Sequence, residues 1–300
     1  MATAEKILRV GAVGAGRMGS VHILNLASAR QIEVVAICTV VESEKNWIRL
    51  NVPNARIYED YDEFISQPDI DAVWIASPTP LHVEHLSKAL ANGKHACTEK
   101  PLSSDKNVAW KMYELTLEYP HLKAIAGGTI GDVIAVRSST SDNYNSNELD
   151  RIPGTAFAAG TREVYPEFAE WNDSDNAHGI VTLGDDLIFN LYSSRDNRHG
   201  HHTSTEVIGT KGRIMINGEP RYLNIDISTE NGTTMFPASQ HWDLFGDGFV
   251  GEVEAFRDWV LFDNQDHGFN VKDAAKAVSI ASALQESFEK KMSVSINLVD

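Results

Sequence analysis

The fold of the first part of this chain is decided by the stretch Ile7-Leu8-Arg9-Val10-Gly11-Ala12-Val13-Gly14-Ala15-Gly16-Arg17-Met18-Gly19. Its first half is a short apolar run that predicts a buried strand, and a helical pattern begins directly after the last glycine. Gly14 permits a tight turn, Gly16 lets the backbone approach a pyrophosphate, and Gly19 lets the helix pack closely on the strand. The N–H groups at the start of the helix would then face the phosphates. In this strand–loop–helix context, a dinucleotide site is favoured over a glycine turn without a ligand.

Strand and helix patterns alternate from this loop to about residue 126. The further strands predicted in this part are 32–38, 55–58, 72–76, 95–98 and 122–126. Strands that are separated by helices imply a parallel sheet with right-handed crossovers. We therefore expect an α/β Rossmann domain over residues 1–127.

The pattern changes from about Ile130, where strand follows strand with turn residues between them. The clearest predicted strands are 133–139, 177–183, 187–193, 205–208 and 213–216. Two amphipathic helices are predicted over 250–262 and 271–290. This order favours a largely antiparallel open sheet with helices on one face. We therefore expect a smaller α+β domain over residues 128–300.

Composition narrows the classes of protein to which the chain can belong. It has 300 residues, a formal net charge of −16 and 42% hydrophobic residues, so it can bury a substantial core. The acidic balance argues against nucleic acid or an anionic membrane surface as a partner. No apolar run reaches the roughly 20 residues of a membrane span, and the start lacks the apolar stretch of a secretory signal. Cys38 and Cys97 lie in apolar runs, so we expect buried free thiols and a cytoplasmic protein.

The residue at the tip of the second strand bears on the choice of cofactor. In NAD-binding sites of this kind, an Asp or Glu at that position takes the ribose hydroxyls, whereas Thr39 stands there in this chain. A neutral Thr39 does not repel a 2′-phosphate, which leans slightly toward NADP, but no Arg lies beside it. Glu42 could still curl back toward a ribose. The sequence therefore predicts NAD or NADP and leaves the choice open.

A lysine follows the predicted strand 95–98 in the run Thr98-Glu99-Lys100-Pro101. The carboxyl ends of strands in such a sheet face the ligand crevice. A lysine there can donate a proton to, or polarise, a carbonyl oxygen at the nicotinamide. On spacing alone, a surface lysine in a loop is an equally good interpretation of Lys100.

Together these motifs resemble those of the Gfo/Idh/MocA oxidoreductases, and of their inositol 2-dehydrogenase-like members in particular. The resemblance rests on the order and spacing of residues 10–19, 75–82 and 99–102, and it extends to 205–213 and 281–287. It implies reversible hydride transfer between a nicotinamide and the carbinol or carbonyl of a sugar or inositol-like polyol. The open sheet of the second domain would cover the substrate and pair with another subunit, so a homo-oligomer is expected.

The resemblance also implies a set of site residues. Lys100 would be the catalytic residue that contacts the substrate. With Thr39 at the strand tip, the residues expected to bind the cofactor are Gly14, Gly16, Arg17, Met18, Gly19, Thr39, Ser77, Thr79, His82 and Glu99. No metal site is expected, because the neighbouring histidines at 199, 201 and 202 would not converge on one face of a strand.

Two segments depart from the family pattern, both within residues 128–300. The connecting helix before a Gly-x-Ile-Gly turn is missing near 127–131, and so is a helix that carries an Asp-x-x-x-His motif. The Asp-x-x-x-His at 263–267 lies in the wrong part of the order. Three hypotheses remain: an active dehydrogenase, a nucleotide-binding homologue with impaired catalysis, and a truncated gene product.

Overall fold

The structure is a computed structural model, and it describes residues 6–126, 137–140, 153–183, 187–196, 202–209, 212–216, 226–236, 241–264 and 270–298. By their contacts the residues form two units. The first unit comprises residues 1–130 with 247–278, and the second comprises 131–246 with 279–300. The stretch 247–278, expected from the sequence in the second domain, therefore clusters with the first.

The first unit is built on a parallel sheet. Its strands are β1 (Leu8–Val13), β2 (Ile32–Cys38), β3 (Arg56–Tyr58), β4 (Ala72–Ile75), β5 (His95–Thr98) and β6 (Ala124–Ala126). They lie in the order β3-β2-β1-β4-β5-β6, and every neighbouring pair is parallel. This is the doubly wound order of dinucleotide-binding folds. The predicted α/β Rossmann fold is thereby confirmed.

Helices connect these strands. They are α1 (Arg17–Ser28), α2 (Glu42–Asn51), α3 (Tyr61–Ile65), α4 (His82–Ala91) and α5 (Lys106–Leu117). The buried residues of α1 are Gly19, His22, Ile23 and Leu26, a helical spacing that places them on one face. Asp105 caps α5 by accepting hydrogen bonds from the N–H groups of Asn107 and Val108.

The helical stretch α6 (His241–Phe262) is kinked at Phe245, and the part after the kink contributes to the core of the first unit. Val253, Phe256 and Trp259 recur at intervals of three residues and pack in one cluster with residues of β1 and β4. The ring of Phe256 meets that of Trp74 edge to face, with centroids 5.9 Å apart. The expectation that this helix covers the sheet of the second domain is therefore corrected for these residues. Amphipathic periodicity shows that a helix has a buried face, but it does not show which sheet buries that face.

The second unit contains the antiparallel strands. They are β7 (Arg137–Thr140), β8 (Pro153–Thr161), β9 (Asn176–Leu183), β10 (Leu187–Ser194), β11 (Thr205–Gly209), β12 (Gly212–Ile216), β13 (Asp226–Thr229), β14 (Gly232–Met235) and β15 (Val294–Ser295). The sheet has the order β12-β11-β7-β10-β9-β8-β15, and among its described strands only β11 and β7 pair in parallel. β13 and β14 form a separate hairpin. The predicted largely antiparallel sheet is confirmed.

One face of this sheet packs on the last helix, α7 (Val271–Lys290). Ala283 joins Ala156, Val181 and Leu183 in a buried cluster, and Ser287 Oγ accepts a hydrogen bond from the N–H of Ala158 at 3.0 Å. The opposite face carries large exposed apolar side chains. They are Phe157, Ile180, Ile188, Tyr192 and Ile208, and we call them the exposed sheet face.

Both cysteines are buried and free, as predicted. Burial raises the pKa of Cys38 to about 12 and holds the pKa of Cys97 well above its ordinary value. Neither thiol therefore has the character of a reactive nucleophile. None of the helices that the structure describes is long and apolar enough to cross a membrane.

Several predicted features lie outside the described residues. They are the segment 127–131, most of the strand predicted at 133–139, and positions 199, 201 and 267. Between β7 and β9, the described part of the chain holds β8 and a short 3-10 segment, Pro166–Trp171, and no longer helix. Within the described ranges, no group of three or more His, Cys, Asp or Glu is arranged to hold a metal ion.

We predict that Phe256→Ala lowers the free energy of unfolding of the first unit by about 3–5 kcal/mol, since deleting a buried ring leaves a cavity. Phe256 is 0% exposed, whereas Phe262, near the end of the same helix, is 56% exposed. Phe262→Ala is the matched control, and its cost should stay within about 0.5 kcal/mol. Urea unfolding followed by tryptophan fluorescence measures both. Equal losses in the two variants would contradict the assignment of α6 to this core.

Candidate functional site

The carboxyl ends of four parallel strands bring the predicted site residues to one edge of the sheet. Val13 pairs with Cys38 of β2 and with Ile75 of β4, and Ile75 in turn pairs with Thr98 of β5. The residues that follow these positions therefore leave the sheet at the same level. They include the glycine loop, Thr39, Ser77 and Glu99. Ligands of open α/β sheets bind at this edge.

In the glycine loop, backbone atoms of the loop, of α1 and of the segment after β4 lie in close contact. Gly14 has φ +82°, and a Cβ added to it would lie 2.7 Å from the carbonyl oxygen of Ala76. A Cβ on Gly19 would collide with the carbonyl oxygen of Gly14. Gly16, the residue that caps α1, has no side chain to satisfy the N–H groups of the first helical turn. These features fit the pyrophosphate of a dinucleotide, which needs close approach of the backbone and the N–H groups at a helix start.

A carboxylate from α2 lies beside this loop. One oxygen of Glu44, Oε2, accepts hydrogen bonds from Thr39 Oγ1 at 2.5 Å and from the N–H of Ala15 at 2.9 Å. Glu42, which the sequence suggests as a candidate, instead pairs with Lys45 and Arg49, with both distances 3.3 Å. Sequence reasoning missed Glu44. The available signal was a pair of acidic residues in the first turn of the helix that follows the strand tip.

His82 joins the loop after β4 to the loop after β5. Its side chain is buried, with Nε2 2.7 Å from the carbonyl oxygen of Ser77 and Nδ1 2.8 Å from that of Pro101. A neutral imidazole has one N–H, so it can donate to only one of these oxygens at a time. Ser77 Oγ also lies 3.0 Å from Nδ1 of His85, and Thr79 opens the 3-10 segment that precedes α4. His82 therefore links the two loops through their carbonyl groups. Its predicted contact with the cofactor stays a prediction.

Glu99 is held by a histidine that sequence reasoning missed. His22 Nε2 is hydrogen bonded to Glu99 Oε1, while Glu99 Oε2 accepts the N–H of Lys100 at 3.0 Å. Burial is the largest single influence and acts to raise the pKa of Glu99. The hydrogen bond and charge of His22, together with the backbone N–H and charge of Lys100, outweigh it and hold the pKa below its usual range. The ring of His22 lies 5.0 Å from that of Trp74 and 5.6 Å from that of Phe249. The sequence could have indicated this role, because His22 lies at a helical spacing among the buried residues of α1.

Lys100 itself lies at this edge and is half-buried. Its backbone N–H is hydrogen bonded to Glu99, which fixes the position of the backbone from which the predicted catalytic side chain extends. The structure thus brings together the glycine loop, Thr39, Ser77, Glu99 and Lys100 within one unit. This arrangement has the close backbone approach that a dinucleotide needs, and it places the backbone of Lys100 at the same edge of the sheet.

The first part of the chain matches a known protein family. Residues 8–121 match the family model GFO_IDH_MocA, described as an oxidoreductase family with an NAD-binding Rossmann fold. The matched stretch contains the glycine loop, Glu44 and Lys100.

Similar proteins match nearly the whole chain. It is 27% identical to the uncharacterized oxidoreductase YrbE of Bacillus subtilis, covering 97% of each protein. It is 25% identical to a myo-inositol 2-dehydrogenase of Thermotoga maritima, covering 97% of this chain and 99% of that protein. The two alignments run over 336 and 343 positions, more than the 300 residues of this chain, so they contain gaps in it. The gaps correspond to residues of those two proteins that have no counterpart in this chain.

A solved structure is also similar over nearly the whole chain. The scyllo-inositol dehydrogenase of Lactobacillus casei, with bound NAD(H) and scyllo-inositol, matches with a TM-score of 0.86 at 27% identity. The match covers 97% of this chain and 99% of that one. The similarity therefore includes both the parallel and the antiparallel sheet.

We predict that His22→Ala and Glu99→Gln each cost about 1–3 kcal/mol of stability, because each leaves a buried polar partner unsatisfied. The double variant should cost less than the two single costs combined, by at least about 0.5 kcal/mol. The cost of Glu99→Gln should be full above the ordinary glutamate pKa of about 4.3 and should shrink as the pH falls through the lowered native pKa. Urea unfolding at several pH values measures these terms.

The control pairs His22→Ala with Glu84→Gln. Glu84 is a glutamate whose side chain is 55% exposed and whose partner is Lys88. This pair should be additive, since the two residues share no partner. Additive costs for His22 and Glu99 as well would show that the two side chains are not coupled.

Proposed function

We propose that the chain, whose residues 8–121 match the Gfo/Idh/MocA oxidoreductase family, is a dehydrogenase or reductase that transfers a hydride between NAD or NADP and an inositol-like polyol or sugar. The observation that carries the proposal is the position of Lys100 and the glycine loop at one edge of the parallel sheet. The relatives named for inositol dehydrogenation support the substrate class.

Each group in the proposed site has one task. When bound, NAD or NADP supplies the nicotinamide that accepts or returns the hydride. Gly14 allows the tight turn, Gly19 lets α1 pack closely on the strand, and Gly16 would let the backbone approach the pyrophosphate. The backbone N–H groups of Arg17 and Met18 at the start of α1 would then bind the pyrophosphate. Lys100 moves the proton at the substrate oxygen while the hydride leaves or arrives at the adjacent carbon.

The remaining predicted residues support this site. Ser77 and Thr79 lie in the segment after β4, beside the expected path of the cofactor. His82 acts through the carbonyl groups of Ser77 and Pro101, to which it is held. Glu99 fixes the backbone of Lys100. These four residues are therefore proposed to position the site more than to take part in proton transfer.

A second candidate function is dinucleotide binding without turnover. It is favoured by the gaps in the alignments and by the helices of the second unit, none of which carries an Asp-x-x-x-His pattern in its described residues. Loss of a positioned acid–base group typically costs about 10²–10⁴ in rate. The two candidates predict the same cofactor binding and differ in turnover.

The proposal includes homo-oligomerisation through the exposed sheet face. Phe157 pairs with Ile180 across β8 and β9, and Ile188 and Tyr192 lie two residues on either side of Asn190, which pairs with Ile180. An apolar surface of this extent on a regular sheet is typical of a protein–protein contact.

We also propose a cytoplasmic location, which the two free thiols support because disulfides are rare in reducing compartments.

We predict that Lys100→Ala lowers polyol oxidation with NAD or NADP by at least about 10²-fold, since the proton-transfer group is removed. Binding of the reduced cofactor, measured by nicotinamide fluorescence, should stay unchanged. Lys106→Ala, a lysine at the first residue of α5, is the matched control and should retain full activity. Retained activity in Lys100→Ala would contradict its role. Wild-type binding without turnover across a panel of polyols would favour the second candidate, and absence of binding would remove both.

We predict that the protein is an oligomer and that Ile180→Asp converts it to a monomer, because a charge at the centre of the exposed sheet face cannot be buried unpaired. Leu50→Asp is the control, since Leu50 is an exposed apolar residue on α2 of the first unit. Sedimentation velocity or light scattering after size exclusion measures the mass. A monomeric wild-type protein, or an unchanged mass for Ile180→Asp, would overturn this part of the proposal.

A further inference from the structure

We infer that Glu44, reaching from α2, is the residue that makes this site select NAD over NADP. The inference rests on the proposed function, in which the glycine loop binds a dinucleotide. In NAD-binding sites of this kind, an Asp or Glu at the end of β2 binds the ribose hydroxyls. Thr39 occupies that position here, and we assign the task to Glu44 of α2 instead. This assignment also reverses the slight lean toward NADP that Thr39 alone suggests.

The position of the Glu44 carboxylate is fixed on two sides. Oε2 accepts both the Thr39 hydroxyl and the N–H of Ala15, the residue between the first two glycines. The other oxygen, Oε1, lies 3.3 Å from the point that a Cβ on Gly16 would occupy. The carboxylate therefore stands over the loop, on the side of the sheet where β2 ends.

Thr39 completes the arrangement by steering the glutamate. Its hydroxyl donates to Glu44 and accepts the N–H of Val41 at 3.2 Å, and the residue is only 7% exposed. A buried hydroxyl with both roles in use has one orientation. Thr39 and Glu44 thus form one unit, in which the strand tip supplies the hydroxyl and the helix supplies the charge.

The charge of this unit distinguishes the two cofactors. A carboxylate only accepts hydrogen bonds, so it suits the hydroxyls of the adenosine ribose of NAD. The 2′-phosphate of NADP would bring a second anion to the same place. Lys45, the nearest lysine on α2, is engaged by Glu59 at 2.5 Å and by Glu42 at 3.3 Å, so its charge is already matched. Arg17 is the first residue of α1, where its backbone N–H would face the pyrophosphate common to both cofactors.

The test is a titration of the full-length protein with NADH and with NADPH, followed by nicotinamide fluorescence, which needs no substrate. The wild-type protein should bind NADH at least about tenfold more tightly than NADPH. Glu44→Gln keeps the shape and removes the charge, so it should lower this ratio by about tenfold, mainly through tighter binding of NADPH. Thr39→Val should weaken NADH binding, because the glutamate loses its steering contact.

Glu42→Gln is the matched control, since it makes the same change two residues away on a side chain directed at Lys45 and Arg49. Its ratio should equal that of the wild type. If Glu44→Gln does not fold, Glu44→Ala carries the same expectation. Equal wild-type affinities, or an unchanged ratio in the Glu44 variants, would overturn the inference and leave the proposed function intact. Binding of neither cofactor would instead overturn the proposed function.

Discussion

The contact on which the rest of this structure depends is the meeting of backbone with backbone at the end of β1. Gly14 lies against the carbonyl of Ala76, and Gly19 lies against the carbonyl of Gly14, at distances that leave no room for a Cβ. This contact brings the first turn of α1 down onto the ends of β1 and β4. Only there can backbone N–H groups and the exits of four strands share one crevice. Without the two glycines the helix would stand off from the sheet and the crevice would widen.

Polar side chains hold the loops around that crevice. Thr39 and Glu44 tie α2 to the glycine loop, His22 ties α1 to Glu99, and His82 ties the loop after β4 to the loop after β5. Each tie is partly or wholly buried, so a broken partner would leave an unsatisfied group. Such side-chain hydrogen bonds stiffen loops, which lack the regular backbone hydrogen bonds of strands and helices. The crevice is therefore preorganised by contacts between residues distant in sequence.

The second unit depends on a different constraint, the alternation of side chains along its strands. Ala156, Val181 and Leu183 point to one face and pack with Ala283 of α7. Phe157 and Ile180 point to the other face and stay exposed. Because successive side chains on a strand point to opposite faces, burying one apolar set beneath α7 leaves the other set outside. The same pleat that builds the core of this unit thus creates the surface proposed to bind another subunit.

Local chemistry made much of this protein predictable. The bounds predicted for β2, β5 and α7 are those observed, because the two strands are mostly apolar stretches and the helix is amphipathic. The glycine spacing predicted the loop, and the order of strands and helices predicted the parallel sheet. Lys100 is predicted to be catalytic because it lies two residues beyond β5 and strand ends in such a sheet share one edge, and this role stays a prediction.

The remaining features were decided by tertiary structure. Nothing in the periodicity of α6 shows that Phe256 packs on Trp74 of the parallel sheet, since an apolar face fits any apolar partner. His22 and Glu99 are 77 residues apart, and only the packing of α1 against the strand ends makes them partners. Glu44 lies beyond the strand tip and turns back to it because Thr39 and Ala15 offer two donors there. The sequence by itself determined which segments fold and where the crevice lies, while tertiary contacts between distant residues decided which side chains face it.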